Sequence, residues 1–151
     1  MLDQIDLHRK MDAGAYKAAL EPLQTRLGEL QRTAKDLGIP VLVVLEGWDA
    51  AGKGTLLGRI LYPLDPRGFK VHNVSKPSEE EHLRPYLWPF WSRTPAKGQI
   101  VFLNRSWYRR LLEGRFEGIL KDRDTGEAFE ETRNFERQLH YAGALLVKFF
   151  I

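Results

Sequence analysis

The stretch at residues 41–55, which reads VLVVLEGWDAAGKGT, constrains the fold more than any other part of the chain. Its first five residues are consecutively apolar, which is typical of a parallel strand that is buried on both faces. A glycine-rich turn and Lys53 follow at once, in the order strand, loop, helix. The chain is therefore predicted to be an α/β protein with a phosphate-binding loop after a buried strand.

The spacing of this loop is that of a Walker A motif, with four residues between Gly47 and Gly52 and a lysine directly afterwards. Glycines allow the backbone N–H groups to turn toward an anion, while Lys53 and the helix N-terminus add positive charge. The motif departs from the usual pattern because Gly54 comes next and the hydroxyl residue, Thr55, one position later. The alternative is a turn that binds nothing, but such a turn would not require the lysine. Phosphate binding is the prediction.

Length and composition set wider bounds on the kind of protein. The 151 residues suit one domain, and the absence of cysteine excludes disulfides and thiolate metal sites. The four histidines are scattered without metal-ligand spacing. No apolar run approaches a membrane span, and the N-terminus lacks the apolar core of a signal peptide, so a cytoplasmic location is expected. The net charge is only +3, but clustered arginines favour an anionic partner; they are Arg105, Arg109, Arg110 and Arg115.

Periodicity predicts the other elements. Apolar residues at four-three spacing from Tyr16 to Leu37 predict an amphipathic helix, with its main part starting at Pro22. This helix is expected to pack on the domain's own sheet rather than on a coiled-coil partner. Further predictions are a helix at 55–64, a less buried strand at 69–75, a capped helix start at Ser78, a strand at 100–103 beside the first one, a polar loop at 122–126, a helix through Phe135 ended by Gly143, and a buried strand at 145–151.

Two further segments bear on function. Residues 104–110 follow directly on the strand at 100–103, and open α/β sheets bind ligands at the carboxyl ends of their strands. The aromatic residues of segment 86–91 could stack on bases, but core packing is the preferred interpretation. Residues 1–14 are predicted to be an arm and residues 15–151 a P-loop domain. Because the last strand stops where an active-site loop should begin, that domain is expected to be incomplete and to lack its lid.

Several motifs, in the same order along the chain, resemble the polyphosphate kinase 2 family. They are GWDAAGKGT at 47–55, LDPRGF at 64–69, PSEEE at 77–81, NRSWY at 104–108, FERQL at 135–139 and LVKFF at 146–150. Within that family, the chain looks most similar to the N-terminal half of tandem polyphosphate:AMP phosphotransferases. The resemblance runs from about Tyr16 to the last residue.

The resemblance implies a P-loop kinase fold, a three-layer sandwich around a mostly parallel sheet. The implied activity is transfer of a phosphoryl group between inorganic polyphosphate and a nucleoside mono- or diphosphate, with Mg²⁺. Such transfer depends on positioning and charge neutralisation rather than on covalent work by the protein. The implied partners are polyphosphate and a nucleotide, with no DNA, RNA or membrane, and with a homo-oligomer or a tandem second domain as options.

The resemblance also implies roles for individual residues. Lys53 and Arg105 would neutralise and grip phosphate, and Asp49 would hold magnesium or orient the acceptor phosphate. Lys76 and Arg109 are candidates for the polyphosphate path, with solvated surface charge as the alternative. The backbone of the loop would cradle phosphates, through Gly47, Ala50, Ala51, Gly52, Lys53, Gly54 and Thr55.

Asn104 is the second implied metal ligand, beside Asp49, and it is also a departure from the family. Many members have aspartate at this position, and an amide offers magnesium an oxygen but no charge. Two alternative functions stay open. One is an ATP-dependent nucleoside monophosphate kinase, since GKGT at 52–55 suits that group. The other is a catalytically degenerate, phosphate-binding half of a tandem enzyme.

Overall fold

A sheet of four parallel strands lies at the centre of the residues that the structure describes. This structure is a computed structural model, and it describes residues 6, 10–109, 111–112 and 122–151. Arg110 and Arg115 of the arginine cluster lie outside these residues. The elements in chain order are α1 (Ala13–Asp36), β1 (Val41–Glu46), α2 (Lys53–Leu61), a 3-10 turn (Pro66–Gly68), β2 (Phe69–Asn73), α3 (Glu79–His82), α4 (Trp88–Trp91), β3 (Ile100–Asn104), α5 (Asp122–Tyr141) and β4 (Leu145–Phe150).

The strand order is β2-β3-β1-β4, and each of the three pairings is parallel. Every residue of β1 is buried, which agrees with its uninterrupted apolar run. β3 lies beside β1, as predicted, and Leu45 is in register with Asn104. The residues that follow β1 and β3 therefore meet at the same carboxyl edge of the sheet.

Helices cover both faces of the sheet, which confirms the predicted three-layer α/β fold. On one face, alternate residues of β1 and β3 such as Leu42 and Val101 pack with Phe90 of α4 and Phe135 of α5. On the other face, the remaining strand residues pack against Leu57 of α2 and against part of α1. Because both faces are covered, the central strands need apolar residues at every position.

The prediction that the last strand is buried is wrong. Among the described strands β4 pairs only with β1 and forms an edge of the sheet, and Leu145 and Phe150 are 53% and 54% exposed. An apolar run predicts a strand but carries no information about how many neighbours the strand has. The predicted polar loop at 122–126 is also wrong, because these residues form the first turns of α5.

The first helix begins earlier than predicted. The Asp12 carboxylate accepts hydrogen bonds from the N–H groups of Gly14 and Ala15, at 2.9 and 3.1 Å, and this cap starts α1 well before Pro22. Leu27 packs against the sheet, as the preferred interpretation of the helix required. Other members of the apolar stripe are 42–67% exposed; they are Tyr16, Leu23, Leu30 and Leu37.

Two smaller predictions are confirmed. α3 starts with a capping box, in which the Ser78 hydroxyl accepts from the Glu81 N–H and the Glu81 carboxylate accepts from the Ser78 N–H. In the aromatic segment, Phe90 is buried in the core, as the preferred interpretation required, whereas Trp91 lies edge-on to Phe135 with ring centroids 4.6 Å apart but is 41% exposed. None of the helices within the described part of the chain has the length and hydropathy that crossing a membrane would need.

Candidate active site at the carboxyl edge of the sheet

The loop between β1 and α2 turns sharply, and its backbone angles explain its glycines. Gly47 and Gly52 have φ values of 132° and 99°, a region that side chains with a Cβ rarely adopt. Ala50 has a φ of 62° and is exposed, so the loop carries some backbone strain without glycine at that position. α2 begins directly after Gly52, at Lys53, so its positive end faces the loop.

Gly47 has a second structural reason to be glycine. A Cβ at this position would lie 1.9 Å from the backbone oxygen of Ile151. The N–H of Ile151 donates to the Glu46 carbonyl at 2.9 Å, and the Trp48 N–H donates to the Ile151 carbonyl at 3.2 Å. The backbone after β4 therefore lies directly against the start of the loop, which only a residue without a side chain permits.

The Lys53 side chain spans the loop from within. It is only 8% exposed, and its ammonium donates to the carbonyls of Gly47 and Trp48 at 3.0 and 2.5 Å. An ammonium has three donors, so two are used to hold the loop and one can serve an anion. The predicted loop lysine is thus positioned at the loop and not on the protein surface.

The structure brings Asp49 and Arg105 together across 56 residues of sequence, in an ion pair between a guanidinium nitrogen and a carboxylate oxygen. Arg105 has a φ of 66°, and its N–H donates to the Leu45 carbonyl at 2.9 Å. The Asp49 side chain remains 85% exposed, while that of Arg105 is 23% exposed. Two predicted catalytic residues therefore meet beside the loop, with Asp49 largely open to solvent.

Sequence reasoning missed Glu46 and its contact with Ser106. Both are buried, at 7% and 0% exposure, and the Ser106 hydroxyl donates to the Glu46 carboxylate at 2.5 Å. Burial raises the pKa of Glu46, and the Ser106 hydrogen bonds and the charges of Arg105 and Lys53 oppose that rise. The available signal was a lone acid at the end of an apolar run, directly before the loop glycine. Ser106 lies within the NRSWY motif at 104–108, but its sequence gives no sign of a partner 60 residues earlier.

Asn104 offers an oxygen without a hydrogen-bond partner. Its amide nitrogen donates to the Asn73 side-chain oxygen at 2.9 Å, across the β2–β3 pairing. Its Oδ1 atom is buried and accepts no hydrogen bond. Such an acceptor fits a cation ligand, because buried polar atoms are normally paired. Within the described residues, however, no three His, Cys, Asp or Glu side chains form a metal-binding group.

The remaining predicted residues lie at different distances from this centre. Ala51, Gly54 and Thr55 are exposed in the loop and the first turn of α2. Lys76 is exposed beyond the end of β2, two strands away from β1. Arg109 is half-buried, and its N–H donates to the Ser106 carbonyl at 3.1 Å. The structure thus gathers the loop, Asp49, Asn104 and Arg105 at one edge, with Lys76 at its far side.

A model of the polyphosphate kinase 2 (PPK2) family matches residues 10–151. The chain belongs to the polyphosphate kinase 2 family. This confirms the resemblance that the motifs indicated, and it accounts for the arrangement of a lysine-bearing loop at the carboxyl edge of a parallel sheet.

Relatives in this family include the polyphosphate:AMP phosphotransferases of Pseudomonas aeruginosa and Acinetobacter johnsonii, 40% and 34% identical over 151 residues. Those matches cover all of this chain and 30% and 31% of the relatives. A crystal structure from P. aeruginosa PA01 described as polyphosphate kinase 2 has a TM-score of 0.92 and 41% identity over 99% of this chain and 32% of its own. The polyphosphate kinase 2 of Arthrobacter aurescens TC1 has a TM-score of 0.90 at 25% identity, over 99% of this chain and 56% of its own.

Proposed function

We propose that the intact protein is a cytoplasmic phosphotransferase that moves a phosphoryl group between inorganic polyphosphate and a nucleoside mono- or diphosphate. The supporting observation is the buried Lys53 ammonium, held inside a glycine-rich loop beside the Asp49–Arg105 ion pair. Relatives in the family are named as polyphosphate phosphotransferases that use AMP, GDP or ADP. The chain spans about 30% of the length of the first of these.

The charged groups suit a reaction in which positioning and neutralisation carry most of the work. The remaining donor of Lys53 and the N-terminus of α2 would bind phosphate oxygens at the loop. Arg105 presents a planar set of donors that can hold two oxygens at once, and its pairing with Asp49 keeps it beside the loop until phosphate competes for it. Lys76 and Arg109 would extend the positive surface along a polyphosphate chain.

Mg²⁺ is the proposed metal, with Asp49 and Asn104 as its ligands. The unpaired, buried Oδ1 of Asn104 and the exposed carboxylate of Asp49 both offer the oxygen atoms that this hard cation prefers. When bound, Mg²⁺ would neutralise phosphate charge during transfer. Asn104 contributes no charge of its own, so Asp49 is expected to carry most of the electrostatic attraction.

Donor choice tests this function. The purified intact protein is given AMP or ADP with long-chain polyphosphate and Mg²⁺ but no ATP, and phosphorylated nucleotide is measured by chromatography. Transfer from polyphosphate is expected, and Lys53→Ala should abolish it, whereas Lys17→Ala on the exposed face of α1 should not. Transfer from ATP without transfer from polyphosphate would instead identify an ATP-dependent nucleoside monophosphate kinase.

One observation favours a second candidate, a phosphate-binding half without turnover of its own in a tandem enzyme. The neutral side chain at position 104 leaves the candidate metal site with one carboxylate fewer than family members that have aspartate there. If this candidate holds, Lys53→Ala in the intact protein should leave turnover nearly unchanged. If Lys53→Ala abolishes turnover while Asn104→Asp changes nothing, the degenerate-half hypothesis loses its support.

A further inference from the structure

We infer that Glu46 and Ser106 form a positioning pair that locks the phosphate loop and the Arg105 turn into one geometry. The inference rests on the proposed function, in which Lys53 and Arg105 act on the same phosphate chain. It concerns two buried residues, Glu46 at the end of β1 and Ser106 just beyond the end of β3.

The Glu46–Ser106 bond lies just beyond the last paired residues of β1 and β3. The register between β1 and β3 runs from Val41 and Ile100 to Leu45 and Asn104. The Arg105 N–H then donates to the Leu45 carbonyl at 2.9 Å. Beyond this pair, the Glu46 carboxylate links the two chain segments, because it accepts from the Ser106 hydroxyl at 2.5 Å and also bonds to the Ser106 backbone.

Glu46 and Ser106 each make a further hydrogen bond that holds the residue in place. Glu46 accepts a hydrogen bond at its carbonyl from the Ile151 N–H at 2.9 Å, and Gly47 of the loop follows it directly. The Ser106 hydroxyl accepts from the Tyr108 N–H at 3.2 Å, and the neighbouring Trp107 is fully buried in the core. A shift of the Arg105 turn relative to the loop would therefore break a buried hydrogen bond.

The backbone of Arg105 shows why such a lock is needed. Its φ of 66° is a left-handed conformation that costs a residue with a Cβ about 1–2 kcal/mol, so the turn must be held by its surroundings. Two of the bonds that hold it are the backbone bond to Leu45 on one side and the Ser106–Glu46 bond on the other. Without the latter, the turn that carries the Arg105 guanidinium would be less constrained, and a displacement of about 1 Å can lower a rate by roughly a hundredfold.

A buried glutamate could act here through its negative charge or through the position of its acceptor oxygen, and substitutions can separate these two roles. Glu46→Gln keeps an acceptor oxygen at the same reach but removes the charge, whereas Glu46→Asp keeps the charge and withdraws the oxygen by one methylene. For a positioning pair, Glu46→Gln should retain kcat/KM for polyphosphate within about threefold, and Glu46→Asp should lose about ten- to a hundredfold. An active Glu46→Asp with an inactive Glu46→Gln would show that the charge matters and would overturn the inference.

The route through Arg105 is tested by a double-mutant cycle on the intact protein. Ser106→Ala should lower kcat/KM for polyphosphate by about tenfold or more, and in an Arg105→Ala background it should lower it further by less than about threefold. Ser92→Ala is the matched control, since it also removes one hydroxyl bond, to the Pro89 carbonyl at 2.9 Å, but lies on α4. Multiplicative losses for Ser106→Ala and Arg105→Ala, or equal effects of Ser106→Ala and Ser92→Ala, would overturn the inference.

Failure of this inference is distinguishable from failure of the proposed function. If wild-type protein transfers no phosphoryl group from polyphosphate, the proposed function fails first. Calorimetric titration with tripolyphosphate then still tests the pair, because Ser106→Ala should weaken binding while Glu46→Gln preserves it. If both variants bind tripolyphosphate as wild type does, Glu46 and Ser106 position nothing that phosphate contacts.

Discussion

Glu46 and Glu136 are two carboxylates that the fold holds in opposite ways. Glu46 is buried with a neutral hydroxyl as its side-chain donor. Glu136, on α5, accepts from the Tyr108 hydroxyl at 2.5 Å and from the Trp107 indole at 3.2 Å, and pairs with the Lys148 ammonium at 2.6 Å. The cations near Glu46 are Lys53 and Arg105, and both bond to other groups. The Glu136 carboxylate, by contrast, accepts directly from three side chains.

The pKa shifts follow from this contrast. Burial raises the pKa of Glu46, because the Ser106 hydrogen bonds and the charges of Arg105 and Lys53 only partly offset the loss of solvation. Around Glu136, burial and the carboxylate together raise the pKa of Tyr108. Burial lowers the pKa of Lys148, but bonds to Glu136 and Tyr108 outweigh it, so the net shift is upward. The comparison indicates that Glu136 and its donors Trp107, Tyr108 and Lys148 (the Glu136 cluster) stabilise the packing of α5 and β4. Glu46, by contrast, lies buried beside the loop that we propose to bind phosphate.

The largest expected effect is the difference in transfer activity between substitution of Lys53, in the loop, and substitution of Lys148, beside Glu136. Lys53→Ala should lower transfer from polyphosphate by about a hundredfold or more, because it removes the charge inside the loop. Lys148→Ala should lower the melting temperature and leave transfer within a few-fold of wild type, because Lys148 bonds to Glu136 and Tyr108. Steady-state kinetics and thermal melting of both variants check this. Equal loss of activity in both would remove the distinction between the two regions.

Removal of the Glu136 side chain should be the largest change in stability. Glu136→Ala leaves the Tyr108 hydroxyl and the Trp107 indole without their acceptor, which should cost about 1–3 kcal/mol in the free energy of unfolding. Glu130→Ala on the same helix is the control, since its ion pair with Arg133 is exposed and contributes at most about 1 kcal/mol. Urea unfolding measures both. Similar losses in the two variants would contradict a stabilising role of the Glu136 cluster.

A smaller effect is expected at the candidate metal site. Asn104→Asp places a carboxylate where the unpaired Oδ1 lies and gives up the bond to Asn73, so the variant should be about 1 kcal/mol less stable without metal. Its affinity for Mg²⁺ should rise about tenfold, because a charge replaces a neutral ligand. Calorimetric titration with Mg²⁺ checks the affinity, with Asn134→Asp on α5 as control. Unchanged affinity would place the metal elsewhere.

The smallest effect is a pH dependence of the Glu136 cluster. Since the pKa of Tyr108 is raised above its ordinary value of 10.0, the folded protein keeps this proton longer than the unfolded chain does. The resulting stability is fully present below pH 10 and is lost as the pH rises through the folded-state value. The difference in melting temperature between wild type and Tyr108→Phe should therefore shrink above pH 10.

The comparison also separates what could be predicted from what could not. The loop glycines, Lys53, the strand before them and the strand at 100–103 were predicted, because their signals lie within a few residues of one another. Asp49 was predicted only by family resemblance, Arg105 also as one of the clustered arginines, and their ion pair needed the structure. The Glu46–Ser106 bond joins residues that are 60 positions apart, and no local sequence pattern predicts it.

The sequence by itself determined the α/β class, the phosphate loop and the family, because backbone preferences and motif spacing act over short stretches of chain. The tertiary structure decided the order of the described strands, and with it that β4 is an edge among them and that the end of β4 requires glycine at position 47. It also decided which carboxylate is saturated and which is buried beside cations. These properties depend on which distant residues pack together, and packing is settled only when all elements are in place.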